Sequence, residues 1–172
     1  MGIQDRIINA LQTPLKAEYI RLDDDDGISG FVVSREFEKM STLDRQQLID
    51  VALRNAPNPL TNEEQRQVLM IAGLTPGEYE SVGARIRVHR VKELGDGLLE
   101  VLVHGGYSDA MYVRRALNNQ KGVQTTEPEQ SPGAVGILMT FRAKGTQANP
   151  LTKEKTIAVL TADQYIRVMQ NA

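Results

Sequence analysis

Apolar residues recur at Ile3, Ile7, Ile8, Leu11 and Leu15, with Asp5, Arg6, Asn9 and Gln12 between them. That spacing makes one stripe of a helix and predicts a helix over residues 2–15, closed by Pro14 and Lys16. Residues 17–22 and 28–34 read as two strands joined at Asp23-Asp24-Asp25-Asp26-Gly27. Four adjacent carboxylates invite a divalent cation, but a calcium loop needs glycine at its sixth position and glutamate at its twelfth. Counted from Asp23, those positions are Ile28 and Ser34. The reading is therefore a solvated hairpin tip with Asp-Gly turn chemistry, whose like charges also discourage pairing with other sheets.

The chain then turns over Phe37, read as an exposed aromatic. Ser41 and Asp44 form a cap for a helix over residues 42–54, which buries Leu48, Ile49, Ala52 and Leu53. The same helix exposes Asp44, Arg45, Gln47 and Asp50. Ala56-Pro57-Asn58-Pro59 breaks it. Thr61-Asn62-Glu63-Glu64 starts a short helix, residues 68–71 form a buried strand, and Thr75-Pro76-Gly77-Glu78 opens another helix with Tyr79 as its anchor.

From residue 84 the pattern restarts. Residues 85–91 alternate Ile86, Val88 and Arg90 against Arg85, Arg87 and His89, and a Gly95-Asp96-Gly97 turn leads to a strand over 98–103. Gly105-Gly106-Tyr107-Ser108 leads to a helix over 109–119, followed by a Pro/Gly-rich loop over 121–133, expected to be mobile. Strands are expected at 134–143 and 156–160. Thr161-Ala162-Asp163-Gln164 is expected to cap a last helix with Tyr165, Ile166 and Met169 inward. The repeated strand–strand–helix order predicts an α+β unit over 84–172 built of two β-β-α pieces.

Composition narrows the chemistry. The 172 residues hold 41% hydrophobic and 24% charged side chains, the balance of a globular protein. There is no cysteine, which removes disulfides, thiolate metal sites and cysteine nucleophiles. A formal charge of −2 gives no broad attraction to nucleic acid or anionic membrane. No apolar run approaches the ~20 residues of a membrane span, and polar residues interrupt any N-terminal signal core. A cytoplasmic location is the expectation.

The chain carries two histidines, His89 and His104. His104 lies at a strand end beside Gly105-Gly106, where a general base can sit. However, Ser108 and Asp109 close by in sequence do not make a triad, and a strand-end residue is preferred. Gly106 and Ser108 at a helix start, with Arg114 following, form a candidate anion site, against the alternative of a tight strand-to-helix turn. Arg85, Arg87, His89 and Lys92 form a basic strand face that can meet phosphates, but arginine stems covering a sheet are the preferred explanation.

One family resemblance emerges from these residues. Ser34-Arg35-Glu36-Phe37, Met40-Ser41, Arg45-Gln46-Gln47, Leu53 and Thr75-Pro76-Gly77-Glu78-Tyr79, in this order, resemble the BolA-like family over residues 1–83. The resemblance implies a class II KH-like α/β fold for that half, hence a BolA-like domain (1–83) followed by an α+β domain (84–172). In the family, a histidine helps hold an iron–sulfur cluster shared with a monothiol glutaredoxin. Gln67 stands at that position here, and Lys39 replaces the usual glycine after the aromatic.

The resemblance thus implies a kept scaffold with a lost cluster ligand, no metal and no cofactor. The expected function is non-enzymatic: a binding or regulatory protein whose partner surface is Phe37, Met40, Arg45, Gln46 and Gln47 near Gln67. Nucleic-acid binding through the KH-like fold or the 85–92 strand is the alternative. An iron–sulfur partnership with a glutaredoxin, despite Gln67, is a second alternative. No Gly-x-x-Gly backbone clamp is present.

Overall fold

The computed structural model describes residues 2–24, 26–82, 85–132, 137–169 and 172, without the side chain of Val82. The chain is a mixed α+β protein that divides into two compact units, Met1–Ala84 and Arg85–Ala172. Part of the expected 81–84 junction, the start of the 134–143 strand and Asp25 of the hairpin tip lie outside the described residues.

The first unit runs α1 (Ile3–Gln12), β1 (Tyr19–Asp24), β2 (Ile28–Val33), a 3-10 turn (Arg35–Phe37), α2 (Thr42–Arg54), α3 (Asn62–Gln65), β3 (Val68–Leu74) and α4 (Pro76–Val82). Its sheet has the order β1-β2-β3, with β1 antiparallel and β3 parallel to β2. Helices α1 and α2 pack together and against this sheet. Ile7, Leu11, Ile20, Leu22, Val32, Ile49 and Ile71 are buried in the resulting core. The register explains the alternation: Ile20 faces Val32 and Leu22 faces Gly30, so both point to the helices. The opposite face gathers Tyr19, Phe31 and Tyr79, whose ring centroids lie 5.5–5.7 Å apart.

Two expectations fail in this unit. Phe37 is fully buried, because the 3-10 turn folds its ring into the core instead of out to solvent. The β3 segment is longer than expected and only partly buried: Leu69 is 64% and Met70 63% exposed. A register shift opposite Ile28/Ser29 places Leu69 outside regular pairing on this outer strand.

The second unit runs β4 (Ile86–Gly95), β5 (Leu98–His104), α5 (Tyr107–Asn118), β6 (Gln124–Thr125), β7 (Glu129–Gln130), β8 (Leu138–Lys144), α6 (Lys153–Thr161) and β9 (Ile166–Val168). The strands form one sheet in the order β6-β8-β5-β4-β9, with β7 also pairing β8. Helices α5 and α6 contact each other and the sheet. Val88, Val91, Leu99, Val101, Val103, Phe141 and Ala143 are buried on the face that these helices cover, while Leu102 and Thr140 are buried on the other face.

Three segments differ from expectation. Residues 153–161 form a helix, not a strand: Thr152 caps it through Lys155 N–H, and Thr156 and Leu160 are buried one turn apart. Four-residue spacing prevails over the β-branched composition there. The expected last helix is instead β9, which pairs parallel with β4, although Tyr165 and Ile166 are buried as foreseen. The 121–133 segment contributes β6 and β7, and Thr126 exchanges hydrogen bonds with Arg142 by donating N–H to its carbonyl and accepting its N–H. Those bonds satisfy the outer edge of β8 and hold the segment in place.

No helix of the described residues is long and apolar enough to cross a membrane.

Candidate functional site

Arg45 opens α2, and its guanidinium is the centre of the residues singled out in the first unit. Nε donates to the Met40 carbonyl at 3.2 Å, and Nη1 donates to the Gly73 carbonyl at 3.1 Å. Nη1 and Nη2 also grip the Glu78 carboxylate at 2.6 and 3.1 Å, the bidentate geometry that suits arginine. The guanidinium carbon lies 6.0 Å from the Phe37 ring centroid. Glu78 in turn accepts the Thr75 N–H and closes the cap of α4, while Thr75 Oγ1 accepts the Glu78 N–H. The Arg45 hydrogen bonds, with the Thr75 N–H behind them, pull the Glu78 carboxyl down from 4.5 to about 2.

Gly73 allows this arrangement. A Cβ there would lie 3.1 Å from the Phe37 ring and 3.2 Å from the Arg45 Cβ. The side chains of Phe37 and Arg45 are therefore committed to joining the start of α2, the end of β3 and the start of α4. Met40 packs on the core, and Gln46 donates to Asp50 at 3.2 Å within its own helix. Gln47 and Gln67 are exposed. The structure brings Phe37, Met40 and Arg45 together as an internal joint, with Arg45 half-buried rather than exposed.

The donor chemistry at Gln67 does not fit an iron–sulfur cluster. Its backbone carbonyl accepts from Ile28 N–H at 2.7 Å, and its side chain is an exposed neutral amide. Both histidines belong to the other unit, and there is no cysteine. Among the described residues no group of three His, Asp or Glu is placed to hold a metal.

At the start of α5 the Gly106 N–H donates to the Asp109 carboxylate at 3.3 Å, and Asp109 is buried. Gly105 has φ 144°, and a Cβ there would collide with that carboxylate. Ser108 is buried as well. Arg114 reaches away to Thr125 at 2.9 Å and Glu127 at 2.8 Å. Gly106 and Ser108 thus serve a tight strand-to-helix turn capped by Asp109, Arg114 is engaged with the 125–127 segment, and the three do not gather around an open anion site.

The feature that sequence reading only half caught lies on the sheet face away from α5 and α6. Ladder partners share a face, so the register sorts the side chains. Arg87 faces His104 and Arg167, Arg90 faces Leu102, Lys92 faces Glu100, Glu100 faces Arg142, and Leu98 faces Lys144. Arg87, Arg90, Lys92, Arg142, Lys144, Arg167 and His104 are all exposed on this one face.

Two carboxylates lie among them: Glu100, 3.6 Å from Arg90, and the exposed Glu129 on β7, the ladder partner of Thr140. Lys92, Arg142, Lys144 and Arg167 have no ion pair among the described residues. Near the middle of the face, the buried Thr140 hydroxyl has no hydrogen-bond partner among the described residues.

The alternation read from sequence put Arg90 inward and His89 outward. A β-bulge at His89 shifts the phase, so Arg90 joins Arg87 and Val91 turns inward. Whole-chain charge also concealed the face. Residues 1–84 hold eight Lys/Arg against fourteen Asp/Glu, a net −6; residues 85–172 hold twelve against eight, a net +4. Charge counted for each half was the available signal.

No protein-family model and no curated protein matches the chain. Among solved structures, BolA1 from Arabidopsis thaliana is similar at 20% identity and a TM-score of 0.35, over 45% of this chain and 96% of that chain. No residue's role follows from that likeness.

Proposed function

We propose that this protein is a non-enzymatic nucleic-acid-binding protein. Its second unit holds the phosphate backbone, and its first unit is a BolA-like scaffold without the family's cluster ligand. The observation that carries the reading is the cationic sheet face, where six Lys/Arg from β4, β8 and β9 meet two glutamates, Glu100 and Glu129. Unpaired cations spread over a sheet suit a repeating line of phosphates, which draws them by charge and counterion release irrespective of base sequence. The face presents no aromatic ring for base stacking: Phe141 and Tyr165 are buried. Contact with the backbone of a duplex, without base readout, is the mode that follows.

In the first unit, the order of elements and the Arg45–Glu78 clamp support the BolA-like scaffold reading. The alternative of a protein partner keeps Gln47 and Gln67 as its exposed residues.

The test is fluorescence anisotropy of a short labelled duplex with the full chain and with Arg90→Gln/Arg142→Gln/Lys144→Gln. Binding by the parent, weakened at least tenfold in the variant with a salt slope shallower by about 3, is the expected result. Equal binding by both proteins, or none by the parent at low salt, would overturn the reading.

A further inference from the structure

One corner of the cationic face is built differently from the rest. Arg87 on β4 and Arg167 on β9 stand directly opposite each other in a parallel ladder, and both are exposed. Adjacent strands lie ~4.8 Å apart, and like charges placed opposite one another on a sheet oppose its formation. On the other side of Arg87, its Nη2 lies 3.1 Å from His104 Nδ1. A guanidinium only donates, so Nδ1 is placed as the acceptor in this contact. The corner therefore assembles two guanidinium forks and an imidazole ring.

Among the described residues no carboxylate forms an ion pair with these groups, in contrast to Arg90, which has Glu100. A simpler account is available for Arg167 alone, since a charged residue on a short outer strand deters pairing with other sheets. That account gives no reason for a second arginine in register with it, nor for a histidine held against that second arginine.

Resting on the nucleic-acid reading above, we infer that Arg87, Arg167 and His104 form an anchor for one backbone phosphate, while Lys92, Arg142 and Lys144 supply diffuse attraction. A tetrahedral phosphate accepts from several donors at once, and arginine forks are suited to bidentate contact with its oxygens. Its negative charge also relieves the opposition between the two arginines. The anchor fixes the position of the backbone on the sheet, and the remaining cations follow the strand from there.

The test compares duplex binding by the full chain carrying Arg87→Gln, Arg167→Gln, Arg167→Lys or Lys144→Gln, alongside a titration of the parent with inorganic phosphate followed by the His104 ring resonances. The anchor predicts about tenfold weaker duplex binding for Arg87→Gln and Arg167→Gln, but only about twofold for Lys144→Gln. Arg167→Lys keeps the charge and the edge protection but loses the fork. It is expected to bind several-fold more weakly with an unchanged salt slope. The phosphate titration is expected to move the His104 signals saturably.

Equal losses in Lys144→Gln and the corner variants would overturn the anchor and leave the face as a whole standing. A parent that fails to bind duplex, yet shows saturable phosphate shifts at His104, would overturn the nucleic-acid reading and retain the anchor as a phosphate site. Absence of both would overturn both.

Discussion

The two halves of this chain use their charges in opposite ways. In the first, Arg6 pairs with Glu64, Lys16 with Glu36, Arg35 with Glu18 and Arg45 with Glu78, so cations tie one element to another. In the second, Arg114 pairs with Glu127 to hold a loop, but Lys92, Arg142, Lys144 and Arg167 are exposed on one sheet face without such partners among the described residues. A paired charge is spent within the fold, whereas an unpaired one is available to a ligand. Of the residues that looked most functional in the first half, Arg45 is committed in this way to Glu78, and Phe37 is buried in the core. The residues that looked like ordinary surface arginines in the second are the better candidates for binding.

That contrast breaks most readily at Phe37. Its ring is fully buried, so Phe37→Ala should cost about 3–5 kcal/mol and unfold much of the first unit. A loss of hydrogen-exchange protection across β3 would report it. If the stability barely changes, Phe37 is a surface residue after all.

Arg45→Ala should cost less, about 2 kcal/mol, because it frees the Met40 and Gly73 carbonyls and the half-exposed Glu78. The same exchange measurement on the β3–α4 junction checks it. Protection equal to that of the parent would count against the clamp.

A pH series sharpens the same point. The folded Glu78 carboxyl is depressed to about 2, against 4.5 in its ordinary state. Its contribution is therefore fully present above about pH 4.5 and falls away as the pH drops towards 2. Glu78→Gln should reduce that part of the acid dependence. An identical acid profile in the variant would remove Glu78 as a source.

The smallest effects on stability belong to the cationic face. Arg142→Gln and Lys144→Gln should each change it by less than about 0.5 kcal/mol while weakening duplex binding. Large destabilisation with unchanged binding would make these side chains structural and erase the contrast between the halves.

The first unit was largely legible in the sequence because its signals are local. The stripe of Ile7, Leu11 and Leu15, the Ser41–Asp44 cap and the Thr61–Glu64 capping box each act within a turn or two. Phe37 was misread because burial of a turn residue depends on Gly73, far along the chain, leaving room for its ring.

In the second unit the decisive facts are equally non-local. The run Thr156–Leu160 has strand composition, and only the cap at Thr152 and the four-residue spacing of Thr156 and Leu160 reveal a helix. The cationic face depended on three facts that no window contains: the bulge at His89, the distant β8 and the parallel return of β9 beside β4.

The measurement that bears most directly on the central claim is the salt dependence of duplex binding by the full chain. Six Lys/Arg meeting phosphates predict log-affinity falling linearly with log-salt at a slope of roughly −5 between about 50 and 200 mM. A flat dependence, or no binding at the lowest salt, would contradict the assignment of that face to nucleic acid.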